Sequence, residues 1–314
     1  MDTTNLLINT RGANTSVVGA GSKGYTVKAS AASEGKKITF ATDTSSALTT
    51  VVPPQFRCCS VSEGVSKGFW LGGDVPNAEA YKLLFSSETY AAATTANLSA
   101  ARVDSGGLSC DSTKGYVLGG ANGATRHVTT DKVTYSTDTT AAVGGANLSQ
   151  GRQGLICVNN FGVKGYAAGG NSGAVVATAD KVTYSSDSTA AATTANLSSV
   201  RSYGGAVSET TTKGYFAGGD TTGGGAIVGT ADKVTFSTDT TAAVTTANLA
   251  VVRAYFNTNG DGASKGYFCG GYTNTWPTTA QTDKLTYSTD TTAAATTANV
   301  ESNAWTSGMS DVAA

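Results

Sequence analysis

Lys164-Gly165-Tyr166-Ala167-Ala168-Gly169-Gly170 is followed by Lys181-Val182-Thr183-Tyr184, by the turn Ser185 to Thr189 around Asp187, by Thr193-Thr194-Ala195-Asn196-Leu197, and by Arg201. This stretch decides the fold because it returns. Lys-Gly-aromatic begins at Lys23, Lys67, Lys114, Lys164, Lys213 and Lys265, with gaps of 44, 47, 50, 49 and 52 residues. A diglycine follows at fixed offset in five units, and the first has Lys28-Ala29 in its place. Self-similarity at such a period is read before any local element.

Each unit reads as four short strands. Lys132-Val133-Thr134-Tyr135 and its equivalents alternate with period two and are rich in β-branched and aromatic residues. Ser/Asp/Thr and Gly clusters punctuate them at turn-like intervals, and no segment has helical periodicity with caps. Four strands per unit, six times over, predict an all-β fold: a six-bladed β-propeller with four antiparallel strands per blade. The expected blades are 11–52, 57–98, 102–148, 152–197, 201–249 and 253–300, one domain over 1–300. Both ends carry first-strand-like sequence, 11–18 and 304–310, and six blades need only one of them. Residues 301–314 are thus a closing strand or a C-terminal tail that reaches a neighbour; we expect the tail.

The repeats have a resemblance. Arg, a Gly-rich strand, an aromatic strand ending in Gly-Gly, then an aromatic and a turn resemble the kelch repeat, over residues 11–304. Kelch units usually carry a Trp after the second aromatic, where this chain has Ala141, Ala190 and Ala242. The wording KGY-x-x-GG with DKVTYSTDTTAA and ANLS-x-x-R is similar to Thr/Gly/Ala-rich kelch-like repeats in virion proteins of tailed phages. That resemblance implies a structural protein of the particle, on the tail, fibre, baseplate or head surface. It would fold in the host cytoplasm, with other virion proteins as partners in an oligomeric assembly.

Composition narrows the classes further. Lys and Arg number 21 against 22 Asp and Glu, which leaves no field to attract nucleic acid or an anionic membrane. No apolar run approaches a membrane helix, and Met1-Asp2-Thr3-Thr4-Asn5 has no signal-peptide character. Cys58, Cys59, Cys110, Cys157 and Cys269 follow neither a zinc nor a disulfide pattern, so buried free thiols and a reducing compartment are expected. No cofactor or metal is implied. Catalysis is poorly supported, since His127 is the single histidine and no nucleophile elbow or phosphate loop is present.

Spacing locates the candidate site. The third-strand Lys precedes the next Arg by 20 residues every time, and Arg precedes Lys-Gly by 12 residues except from Arg57 to Lys67, where it is 10. The separation from the diglycine position to the third-strand Lys runs 8, 9, 12, 11, 14 and 13. Length change therefore lies in the loops between strands two and three, on the face where each blade leads into the next, and such loops carry binding function. Arg11, Arg57, Arg102, Arg152, Arg201 and Arg253 would ring that face. They either bridge blades by bonding carbonyls or carboxylates such as Asp131, Asp180, Asp232 and Asp283, or contact an anionic ligand. Trp276 and Tyr272 in the last loop, and Arg126 with His127 in the third, stand out among small polar neighbours. Asp43, Asp138, Asp187, Asp239 and Asp290, in turns of the opposite face, are read as accepting local N–H bonds. Alongside the virion reading stand a carbohydrate-binding adhesin reading host glycans through the loops between strands two and three and, more weakly, an intracellular protein-interaction propeller.

Overall fold

In Asp180-Lys181-Val182-Thr183-Tyr184, side chains alternate between two faces, as a strand requires. The computed structural model of the protein describes residues 22–26, 33–52, 56–74, 76–274, 278–300 and 308–310. It places a strand at Ala179–Thr183 and buries Asp180, Val182 and the following Tyr184. Ile156–Asn160, Lys164–Ala168, Ala179–Thr183 and Ser188–Ala191 pair in that order, each antiparallel to the last. This is the fourth blade.

The second blade comprises Cys59–Ser62, Lys67–Gly73, Asn77–Leu84 and Thr89–Ala92, and the third Gly106–Ser109, Lys114–Leu118, Thr130–Thr134 and Thr139–Ala142. Gly205–Glu209, Lys213–Asp220, Ile227–Thr235 and Thr240–Ala243 form the fifth, and Asn257–Gly260, Lys265–Cys269, Thr282–Thr286 and Thr291–Ala294 the sixth. The first strands neighbour one another in a closed ring around an axial channel. The protein is a six-bladed β-propeller with four antiparallel strands per blade. Among the described residues no helix is long and apolar enough to cross a membrane. Outer strands such as Thr139–Ala142 are short and largely exposed, so much of the Thr and Ala of the composition faces water. The Thr-Thr-Ala-Asn-Leu block is not a plain linker. Thr193–Ala195 forms a 3-10 turn, and the Asn196 side chain accepts the Ala179 N–H at 2.8 Å, fixing the start of the third strand.

The first blade closes the ring. Lys23–Thr26, Ser33–Thr39 and Thr44–Val52 supply its outer three strands, and Gly308–Ser310 pairs with Lys23–Thr26 as the innermost. Met309 stands opposite Tyr25 as Leu108 stands opposite Tyr116. Gly308–Ser310 is therefore the closing strand rather than part of the expected tail reaching a neighbour; residues 11–18 lie outside the described residues.

A repeated ionic clamp joins the blades. Lys114 and Lys132 of the third blade donate to Asp187 of the fourth at 2.7 and 2.6 Å, and the Tyr116 hydroxyl adds a bond to the same carboxylate. Asp43, Asp138, Asp239 and Asp290 each receive two lysines of the preceding blade in the same way, and Glu88 takes the place in the second blade. The clamp thus runs through all six interfaces. These carboxylates bind the neighbouring blade instead of their own turn, which corrects the expectation of local N–H bonds. All six have φ between 48° and 56°, a left-handed conformation that Asp tolerates better than most residues. Beside each clamp two rings stack, as Tyr116 does on Tyr184 with centroids 5.6 Å apart. The same stack recurs at the other five interfaces, from Tyr25–Phe85 round to Phe40–Tyr267.

Two outcomes test this frame. Without residues 301–314 the edge of Lys23–Thr26 loses its partner, and the protein is expected to lose its cooperative thermal transition in circular dichroism; a truncated chain melting like the intact one would contradict closure. Acid titration tests the clamps. Burial raises the Asp290 carboxyl, but Lys233, Tyr215 and Lys213 outweigh it and hold it at about 2. A depressed folded value means that the unfolded chain takes up protons first as pH falls. The contribution is complete above about pH 5 and drains away below it. Asp290→Asn is expected to cost about 2 kcal/mol at neutral pH and to flatten the acid slope of Tm in calorimetry.

Candidate functional site

Four of the arginines are enclosed in the fold. Arg102, Arg152 and Arg253 pair with Asp131, Asp180 and Asp283 at 2.6 Å, and Arg201 pairs with Asp232; all eight side chains are 0 % exposed. Their main chains belong to the preceding blade. The Arg201 carbonyl accepts from Gly170 at 2.9 Å, and a Cβ on Gly169 would lie 2.3 Å from that oxygen, which explains the diglycine. Each arginine therefore holds one blade by its backbone and the next by its side chain. The bridging alternative describes them, and no surface of their guanidinium groups faces a ligand. Arg11 lies outside the described residues.

Arg57 is a different position. Asp104 N–H donates to the Arg57 carbonyl, Gly154 to Asp104, Tyr203 to Gly154 and Tyr255 to Tyr203, at 2.8–2.9 Å throughout. These five residues share a left-handed φ of 56–65° and form a hydrogen-bonded backbone arc about the axis through blades two to six. Arg57 is thus equivalent to Asp104, two residues beyond Arg102, and its spacing of 10 rather than 12 to the Lys-Gly block is the trace of that shift. The first-blade counterpart, four residues before Met309 as Asp104 is four before Leu108, is position 305 and lies outside the described residues.

The arc carries the unlike side chains. Arg57 grips Asp104 through Nε at 3.0 Å and through an NH2 contact, and the Tyr203 hydroxyl reaches the same carboxylate at 3.3 Å from two blades away. Gly154 makes this crossing possible, because a Cβ there would lie 2.8 Å from the Tyr203 ring. Gln153 donates to the Tyr203 hydroxyl at 2.7 Å. The Tyr203 and Tyr255 rings pack with centroids 4.4 Å apart, and Tyr272 meets Tyr255 edge-on at 6.5 Å. Beneath lies a recess of about 90 Å³ that shares Cys58, Ser105, Leu155, Gly204 and Phe256 with the axial channel of about 300 Å³. Burial, followed by the Asp220 and Asp104 charges, pushes the Tyr255 hydroxyl up to about 12. Burial also raises Tyr203, so the hydroxyls stay protonated at neutral pH.

The structure therefore brings Arg57 and Tyr272 together through Tyr255. Arg126 stands apart, donating from Nε to the Asn171 carbonyl at 3.0 Å and so tying the third blade's loop to the fourth's. The His127 carbonyl accepts the Arg152 N–H, while burial and then the Arg102 charge lower its imidazole pKa and keep the ring neutral. Trp276 lies outside the described residues. Asp104, Tyr203, Tyr255 and Gln153 escaped the sequence reading, although the place two residues past each recurrent Arg was the signal for the first three; Gln153 directly follows Arg152. Four cysteines are buried; Cys157, half-buried, lines the channel, and all five are free thiols.

No protein-family model matches the chain, and no curated protein matches it. The site must therefore be read from its own geometry. Arg152→Met is expected to cost about 3–5 kcal/mol by stranding buried Asp180. Arg57→Met, from a side chain 29 % exposed whose partner retains the Tyr203 hydroxyl, should cost about 1–2 kcal/mol. Chemical denaturation of the two variants measures the difference, and equal losses would contradict this division of roles.

Proposed function

We propose that this propeller is a non-catalytic structural component of a tailed-phage particle, at the tail, fibre, baseplate or head surface, and that its long-loop face serves assembly or host recognition. The observation that carries the reading is the contrast between a ring and an arc. The clamp positions repeat from blade to blade, whereas five positions with one backbone conformation around the axis bear Arg57, Asp104, Gly154, Tyr203 and Tyr255. A rigid scaffold that presents unlike side chains at one mouth suits recognition. The wording of the repeats, similar to virion proteins, supplies the setting. The chemistry of the mouth argues for binding over turnover. Asp104 is occupied by Arg57 and Tyr203, and the raised tyrosine hydroxyls are weak bases and poor nucleophiles near neutrality.

The tyrosine cluster favours a glycan-binding adhesin as the second reading, on the same particle. Quantitative mass spectrometry of density-purified particles tests the first. The expected result is this chain at a constant ratio to the major capsid protein through successive purifications; its loss on purification would overturn the proposal.

A further inference from the structure

We propose that the axial mouth is a monosaccharide site, and that its ligand is a neutral pyranose ring seated on the Tyr255–Tyr272 ledge. This rests on the reading of the long-loop face as the recognising face, and names what it recognises. Three observations carry it. The first is shape: Tyr203, Tyr255 and Tyr272 are all half-buried and in continuous contact, forming an aromatic ledge over a recess that opens into the channel. The C–H faces of a pyranose pack on such rings, while its hydroxyls need polar partners around the edge.

The second is the polar rim. Arg57, which lines the recess with Tyr203 and Tyr255, lies 3.8 Å from Asp74, and both are partly exposed, so a guanidinium edge and a carboxylate stand side by side. A fixed donor and a fixed acceptor side by side match adjacent hydroxyls, each of which donates and accepts. The third is charge. Asp74 and Asp104 flank Arg57, and the Asp220 charge acts at Tyr255, so carboxylates outnumber the one guanidinium around the ledge. An acidic sugar would meet repulsion there, and a neutral one does not. An aromatic cage for a quaternary ammonium needs open space between facing rings. Here Tyr203 packs on Tyr255 at 4.4 Å, and Tyr272 stands edge-on to it.

The test is saturation-transfer NMR on the full chain, with titration of any ligand found. The probes are methyl glycosides of glucose, galactose, mannose, rhamnose and N-acetylglucosamine, with N-acetylneuraminic acid and tetramethylammonium as contrasts. At least one neutral glycoside is expected to receive transfer. Tyr255→Ala should weaken its binding about tenfold or more, and Tyr272→Ala by a smaller factor. Val163→Ala, on the opposite face, should bind as the unaltered chain does. If Tyr255→Ala fails to fold, Tyr272→Ala carries the test. Transfer only to the acidic sugar or the ammonium, transfer to no neutral glycoside, or unchanged affinity in folded tyrosine variants would each overturn the site. Because the particle inventory is a separate measurement, either proposal can fail while the other stands.

Discussion

One carboxylate between two lysines is the interaction on which the ring depends. Lys114 opens the second strand of its blade and Lys132 lies in the third; the Asp187 that joins them belongs to the next blade. A single carboxylate cannot neutralise two ammonium groups, and the first lysine makes a further bond of 2.6 Å to the Tyr184 carbonyl. The clamp therefore fixes turn, strand and neighbouring blade together. Its geometry turns the acidic residue left-handed, which favours Asp, although Glu88 takes the same conformation in the second blade. Because every acceptor belongs to the next blade, the clamps form a cycle. Blade angle is then a property of the closed ring, and neighbouring strands, stacks and arginines must conform to it.

The buried arginines work on the opposite side of the blade by a different physics. Their ion pairs lie wholly out of water, where the attraction is strong but the cost of dehydration is comparable. Such a pair adds little net stability over an apolar replacement, yet it tolerates no missing partner. It sets alignment more than strength. The arginines thereby pin the stretch from which the next blade starts.

Blade number, strand number and the identity of the repeating positions were legible in the sequence because spacing survives where composition blurs. The failures came from reading residue type over spacing. Arg57 joined the arginine ring by name, although its interval of 10 residues already set it apart. Glu88 escaped the acidic turn series because it is not Asp, although it receives Lys23 and Lys37 as the aspartates receive theirs. The lysine partners of Asp138, Asp187, Asp239 and Asp290 lay 55 to 77 residues away in sequence, and those of Asp43 222 and 241 residues away, beyond any local rule for Asx turns. The axial tyrosines were hidden for a deeper reason. Tyr203 and Tyr255 are two isolated residues in the chain, and only a shared backbone arc makes them neighbours.

The seam between the sixth and first blades shows what closure demands. Elsewhere the glycine of Lys-Gly-aromatic receives an apolar side chain of the preceding inner strand: Val61 lies against Gly115, Leu108 against Gly165, Val158 against Gly214 and Val207 against Gly266. At the seam Asn259 takes that role against Gly24, and Asn257, fully buried, has no hydrogen-bond partner for either amide atom among the described residues. An amide there gains less from leaving water than an aliphatic group does, and an unpartnered one carries a cost. The Lys265–Asp43–Lys284 clamp and the Phe40–Tyr267 stack are nevertheless intact. Closure at this interface thus joins the ionic clamp to an apolar cluster in which Ile38 and Phe40 meet Tyr267, Cys269 and Val300, away from the inner strand. The inner strand of this seam therefore lacks the aliphatic contact that the other interfaces place against the same glycine, and clamp, stack and outer cluster hold it instead.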